Sequence, residues 1–278
     1  MQSLGMAARN RGSTGEQLPT PFYPSLERQG IRFWRSQLCL VVGPGSAGKS
    51  LLISNLVARW GRSTLAFLLD QDQATAAARF AATELDENFL ELKKDLDAPG
   101  TAEVLARMGF IQADFKTESL GDIELQLEAY IERYGIPPEV LVVDNLGNMA
   151  SAAEDEWGTL KALTLVLDEM ARNYEMLVIA AHHTRDEPTT EPLPRSAILG
   201  KLHQYPRLIL SVAYNSYSGE YKLAAVKNSS GPTDAMAANP LTFNADPGNM
   251  QVTEPVTDTT FSPAADYLAA FKNMGNRA

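Results

Sequence analysis

The octapeptide Gly43-Pro44-Gly45-Ser46-Ala47-Gly48-Lys49-Ser50 constrains this chain more than any other stretch. It has the form G-x-x-x-x-G-K-[ST], with the apolar run LCLVV before it and the helical pattern LLISNLVARW, opening on Leu51, after it. Glycines let backbone N–H groups turn inward around phosphates, and the start of a helix adds partial positive charge at the same spot. Lys49 can reach β- and γ-phosphates, and the Ser50 hydroxyl can hold Mg²⁺. The same residues also satisfy G-x-G-x-x-G, the dinucleotide fingerprint, and Asp70 ends the next apolar run, where a ribose-binding acid would stand. The Lys49-Ser50 pair decides for a phosphate loop, because a dinucleotide turn needs neither residue. Such a loop commits the chain to a strand–loop–helix unit.

The remaining pattern extends that unit. Apolar runs at 38–42, 65–69, 109–111, 140–143 and 177–181 are continuous rather than alternating, as in strands covered on both faces. Helical patterns over 49–60 and 74–89 separate the first three. Leu120, Ile123, Leu127, Tyr130, Ile131 and Tyr134 recur at spacings of three and four, as do Trp157, Leu160, Leu163, Leu167, Met170 and Tyr174. This alternation predicts an α/β fold with a mainly parallel central sheet flanked by helices. Residues 207–213 and 221–226, around the turn Ser216-Tyr217-Ser218-Gly219, predict a C-terminal β-hairpin that extends the sheet at one edge. The expected organisation is a flexible arm over 1–30, one domain over 31–253, and a linker over 254–278 with a short helix at 263–273.

Composition narrows the classes of partner. With 278 residues and 45% hydrophobic content, the chain can bury a sizeable core. A net charge of −10 argues against a broad basic surface for duplex nucleic acid, though not against a local basic groove. The single Cys39 excludes a disulfide framework and a cysteine-rich metal site. No run reaches the ~18 apolar residues of a membrane span, and the first residues lack the apolar core of a secretory signal. A cytoplasmic protein with no membrane partner is expected.

Several acids and histidines stand at predicted strand ends. Asp144 closes Leu141-Val142-Val143-Asp144, where a carboxylate can complete a Mg²⁺ shell. Asp70 and Asp72, in Leu69-Asp70-Gln71-Asp72, can each orient or deprotonate a water. His182 and His183 are adjacent, so they point to opposite faces, and one of them can face a γ-phosphate. A histidine metal site is disfavoured, because only His203 remains elsewhere. Lys227-Asn228-Ser229-Ser230-Gly231-Pro232-Thr233, taken alone, reads as a surface turn.

Taken in order, these residues resemble the RecA-like ATPase core of DnaB- and RepA-type replicative helicases of phages and plasmids, over roughly residues 30–245. The segments that carry the likeness are Ile31–Leu38 before the loop, Asp70 nine residues ahead of Arg79, Ala181-His182-His183-Thr184-Arg185, the stretch 196–210, and Ala225–Thr233. The resemblance implies a motor, usually a hexameric ring, that couples ATP hydrolysis to movement on single-stranded DNA. It implies a catalytic carboxylate at Asp70 in place of the family's Glu. It implies that hairpin cations act in trans on a neighbour's ATP, with Lys227 and Arg207 as candidates, since Ser229 stands where the family reads arginine. The DNA-facing loop would be 184–201, with Arg185, Arg195 and Lys201 balanced by Asp186, Glu187 and Glu191. Two other readings compete. One is an assembly or DNA-binding protein that uses ATP as a switch, and the other is a P-loop small-molecule kinase.

Overall fold

The computed structural model describes residues 15–117, 119–150, 155–185 and 189–255. The sequence 263–273, expected to form a terminal helix, lies outside the described residues. The elements are β1 (Gln17–Leu18), α1 (Pro24–Arg28), β2 (Phe33–Trp34), β3 (Gln37–Gly43), α2 (Lys49–Trp60), β4 (Thr64–Leu68), α3 (Gln73–Leu85), α4 (Phe89–Leu92), α5 (Pro99–Arg107), β5 (Ile111–Asp114), α6 (Leu120–Tyr134) and β6 (Val140–Asp144). They continue with α7 (Leu146–Ala150), α8 (Glu156–Asn173), β7 (Leu177–His183), 3₁₀ turns at Arg195–Ala197 and Leu199–Gln204, β8 (Leu208–Asn215), β9 (Glu220–Asn228), β10 (Leu241–Asp246) and β11 (Gln251–Thr253). Among the described residues no helix is long and apolar enough to cross a membrane.

Nine strands form one sheet in the order β11-β10-β9-β8-β3-β7-β6-β4-β5. The stretch from β8 to β5 is parallel, while β9, β10 and β11 pair antiparallel beyond it. Every residue of β4 and β6 is buried, which is why their runs carry no polar alternation. Two cores cover the two faces. Leu52, Leu56 and Phe80 of α2 and α3 lie in one, and Ile123, Leu127, Leu160 and Leu167 of α6 and α8 lie in the other. The parallel register brings Gly43, Leu68, Asp144 and His183 to one edge of the sheet.

Local chemistry sets the helix ends. Gly48 (φ +83°) starts α2 and Gly61 (φ +59°) ends it, both in the left-handed region that suits glycine. Asp72 caps α3, and Ser119 with Asp122 forms a reciprocal capping box on α6.

The structure corrects four expectations. Residues 15–30 are not a flexible arm, because Leu18, Tyr23 and Leu26 are buried in the core and β1 pairs with β2. The Tyr23 hydroxyl donates to Val252 O (3.0 Å), so the opening segment is held by a strand from the far side of the sequence. The helix expected over 74–89 stops at Leu85, where Asp86 turns left-handed (φ +54°). The strand expected at 109–111 begins only at Ile111. The C-terminal hairpin does extend the sheet, but β10 and β11 continue it by two more strands.

Candidate nucleotide site

The phosphate loop joins β3 to α2 at the centre of the sheet, between β7 and β8. Ser46 (φ +59°) and Gly48 (φ +83°) give it the alternating backbone that turns N–H groups inward. The loop is buttressed from outside by the hairpin strands. A Cβ on Gly48 would lie 2.6 Å from the Tyr221 ring, and one on Gly43 would lie 2.7 Å from Val212 O. The buried Tyr221 hydroxyl donates to Gly48 O (3.1 Å). Glycine at 48 therefore answers both a backbone angle and an aromatic neighbour.

Lys49 is buried, and its Nζ donates to Gly43 O (3.0 Å) and Pro44 O (2.8 Å). Burial lowers its pKa, while Asp144 and Asp70 oppose that shift. Asp144, at the end of β6, lies beside the Ser50 hydroxyl, and both line the mouth of the loop. Burial raises the pKa of Asp144, and the Ser50 hydroxyl and Lys49 oppose that shift.

Asp70 follows β4, whose exit is fixed by Leu69 N donating to Asp144 O (2.7 Å). Its two carboxylate oxygens accept from the side-chain amides of Asn145 and Asn148. The Asn145 amide also lies 3.4 Å from His183 Nε2, and Lys49 Nζ lies 3.5 Å from His183 Nδ1. A neutral imidazole offers one acceptor, so His183 can satisfy only one of these two donors at a time. Lys49, His183, Asn145 and Asp70 form a continuous polar line across the mouth. They line a cleft of about 580 Å³ with the loop, Asp144 and Arg79, to which Tyr214, Ser216, Pro247 and Met250 also contribute.

The other predicted residues are placed elsewhere. Asp72 accepts from Thr75 N (2.9 Å) and Thr75 Oγ1 (2.6 Å) and pairs with Lys93 (3.0 Å). The Thr75 hydroxyl first, then the Thr75 amide and Lys93, hold its carboxyl far below the usual range. It is an exposed helix cap and does not line the cleft. His182 faces the opposite side of the sheet, where Nε2–H donates to Leu199 O (3.1 Å), and burial lowers its pKa to about 4.

Lys227 and Arg207 lie toward the other end of the sheet, because Leu208 pairs with both Cys39 and Asn228. Lys227 Nζ donates to His203 O (2.7 Å) and Gln204 O (3.0 Å). Burial lowers its pKa, and the nearby Arg195 and Arg207 lower it further. Burial lowers the pKa of His203 as well, and Arg195, Lys227 and Lys201 add to that shift. Arg185 is exposed, and its backbone N–H bonds to Ala197 O (3.0 Å). Sequence reasoning missed Asn145, Asn148 and Tyr221. The first follows Asp144 directly and was findable by position, whereas Tyr221 reaches the loop only through strand pairing.

Comparisons with known proteins agree with this geometry. A family model described as an AAA domain matches residues 28–188. The gene 65 protein of Mycobacterium phage L5 is 30% identical over 238 residues, covering 81% of this chain and 88% of that protein. The gene 65 protein of Mycobacterium phage D29 is 27% identical over 205 residues, covering 69% and 88%. Two solved structures share the fold at 14% identity. One, described as an ATPase domain, superposes with TM-score 0.71, covering 91% of this chain and 96% of that one. A DnaB-like replicative helicase, described together with its interactions with primase, gives 0.70, covering 91% and 67%. With its intact phosphate loop and RecA-like sheet, the chain belongs to the AAA-domain family of P-loop ATPases and is a phage-related member of DnaB-like fold.

Proposed function

We propose that this protein is an ATP-hydrolysing motor that acts on single-stranded DNA as a hexameric ring, unwinding DNA during replication or recombination in the cytoplasm of an infected cell. The observation that carries this reading is the meeting of Lys49, Ser50, Asp144, Asp70 and His183 at one sheet edge around a cleft large enough for a nucleoside triphosphate.

The residues fit Mg²⁺–ATP. The loop residues from Gly43 to Leu51, with Pro44, Gly45, Ser46 and Ala47 between, would cradle the phosphates through backbone N–H groups. Lys49 would exchange its two carbonyl partners for phosphate oxygens. Ser50 and Asp144 supply oxygen donors suited to Mg²⁺. Among the described residues no group of three or more His, Cys, Asp or Glu side chains could hold a metal unaided, which suits an ion that shares its shell with phosphates. When bound, Mg²⁺ offsets charge on the β- and γ-phosphates. Asp70 would hold the attacking water and take its proton, and His183 would contact the γ-phosphate. Lys227 and Arg207 are too far along the sheet to serve their own loop, so they would act on a neighbouring copy. Arg185, Arg195 and Lys201 would meet DNA phosphates.

Steady-state hydrolysis with and without single-stranded DNA, beside Lys49→Ala, tests the reading. DNA-stimulated turnover that vanishes in the variant is expected. A specific observation also favours a second reading, a nucleotide-operated switch with slow turnover, because both Asp70 oxygens are already engaged by amides. Tight ATP binding with no turnover in any condition would select it. Phosphate transfer to a nucleoside without DNA would instead mark a kinase.

A further inference from the structure

The polar line across the mouth ends in a group that the hydrolysis scheme does not use. Asn148 sits on α7, the short helix that follows Asp144-Asn145, and its amide is bonded to one oxygen of Asp70. Asn145 holds the other oxygen. The two asparagines are themselves linked, since Asn148 N donates to Asn145 Oδ1 (3.3 Å). There is little slack between them, because a Cβ on Gly147 would lie 3.0 Å from Asn145 Oδ1 and 3.8 Å from His183 Cδ2. One short segment thus presents two N–H donors to one carboxylate.

This arrangement opposes what a hydrolytic carboxylate has to do. Each amide occupies one of the acceptor positions of the carboxylate. Water must compete with these two side-chain amides for the remaining positions. Asn145 also approaches His183 and through it the loop lysine, so its bond to Asp70 is part of the nucleotide site itself. Asn148 reaches back to Asp70 and to Leu69 O (3.5 Å), across the gap between β4 and β6. Its side chain is exposed, so it can turn away from Asp70 while Leu146 and Met149 of α7 stay in the core.

We infer that Asn148 is a positioning residue that restrains Asp70, and that the placement of its side chain sets how fast bound ATP is hydrolysed. The inference rests on the reading of Asp70 as the water-holding carboxylate. A turn of the Asn148 side chain that withdraws its amide leaves Asp70 held on one side, by Asn145, and frees the other oxygen for water.

The test is the kinetics of the full chain with Mg²⁺–ATP and no DNA. Asn148→Ala raises kcat about threefold to tenfold, as expected when one exposed hydrogen bond of ordinary net strength is removed, and leaves the KM for ATP unchanged. Asn148→Gln, which keeps an amide, returns kcat toward the parent value. A structural role would lower kcat or move KM in both variants alike. An unchanged or lowered kcat in Asn148→Ala overturns the inference, as does a rise that Asn148→Gln fails to reverse. Asp70→Asn separates this from the parent reading. If Asp70→Asn turns over as fast as the parent protein, the carboxylate assignment itself is wrong, whatever Asn148 does.

Discussion

Lys49 and Lys227 stand toward opposite ends of the same sheet, the first buried and the second half-buried, and their surroundings are opposite too. Burial lowers the pKa of each. Around Lys49 the remaining influences are Asp144 and Asp70, which raise it. Around Lys227 the next influences are Arg195 and Arg207, which lower it further, with Asp168 the weakest voice against them. Lys49 is compensated within its own chain, so phosphate arriving there meets a site whose charges already balance. Lys227 has like charge around it and donates to two backbone carbonyls. A cation arranged in that way gains most when an anion comes from outside the chain. The comparison teaches that a lysine's partner class is written in its neighbours rather than in its own burial.

The largest expected effect breaks the comparison at the balanced end. Lys49→Ala should reduce ATP turnover at least ~10³-fold, because a preorganised cation at the transferring phosphate is lost. Its two carbonyl partners would be left facing the cleft. Phosphate release assays measure this directly, and turnover within tenfold of the parent would refute the role given to Lys49. At the other end, Lys227→Ala should leave nucleotide binding by the isolated chain within about twofold but cut turnover of the assembled form about 10²-fold, toward the scale of a cation supplied in trans. Fluorescent-nucleotide titration and turnover as a function of protein concentration separate the two effects. Equal losses at high and low concentration would place Lys227 in its own site and erase the contrast.

The contrast was only half legible in the sequence. The β3–α2 unit could be read because its signals are local: a run of apolar residues, a glycine-rich loop, and a helix that ends at Gly61. Asp144 could be read for the same reason. Asp70 and Asp72 could not be separated, because two residues of spacing look alike until capping chemistry assigns one of them. Asp72 captures the Thr75 amide and hydroxyl and so turns away from the loop. His182 and His183 depended on strand register, which only the pairing of β3 with β7 fixes. Residues 15–30 and the strands β10 and β11 were hidden for another reason. Their order comes from each other, through Tyr23 and Val252 and through Asn55, whose amide donates to Met250 O (2.8 Å), and not from any period in the sequence. The basic cluster of Arg195, Lys201, Arg207 and Lys227 was likewise scattered across the chain until the 3₁₀ turns before β8, with His203 in the second, packed beside Lys227.

A third pair of variants probes the buttress that keeps the balanced end rigid. Gly48→Ala places a methyl 2.6 Å from the Tyr221 ring and strains a positive φ, and should cost about 2–3 kcal/mol of stability. Tyr221→Phe keeps the packing and loses only the bond to Gly48 O, so about 1 kcal/mol is expected. Urea unfolding of both variants sets the scale. A Gly48→Ala cost no larger than that of Tyr221→Phe would mean that the ring yields to the methyl, and that the loop is not braced from outside.

The smallest effect concerns the histidine that faces away from the nucleotide. His182 is held neutral by burial, with a pKa near 4 against an ordinary 6.5. Its Nε2–H is bonded to Leu199 O, while Nδ1 is buried with no hydrogen-bond partner among the described residues. A proton added to Nδ1 would therefore have no acceptor. The unfolded chain binds that proton more readily than the folded one, so stability from this group is complete above about pH 6.5 and falls as pH drops toward about 4. Between about pH 7.5 and about pH 5.5 the loss attributable to His182 should be about 1 kcal/mol. His182→Gln keeps a donor for Leu199 O and removes the titration, so its stability should change less over the same interval. Denaturant unfolding at the two pH values measures the difference. A parallel decline in both proteins would assign the pH dependence to other groups, with His203 the first to examine, because burial and its cationic neighbours lower its pKa as well.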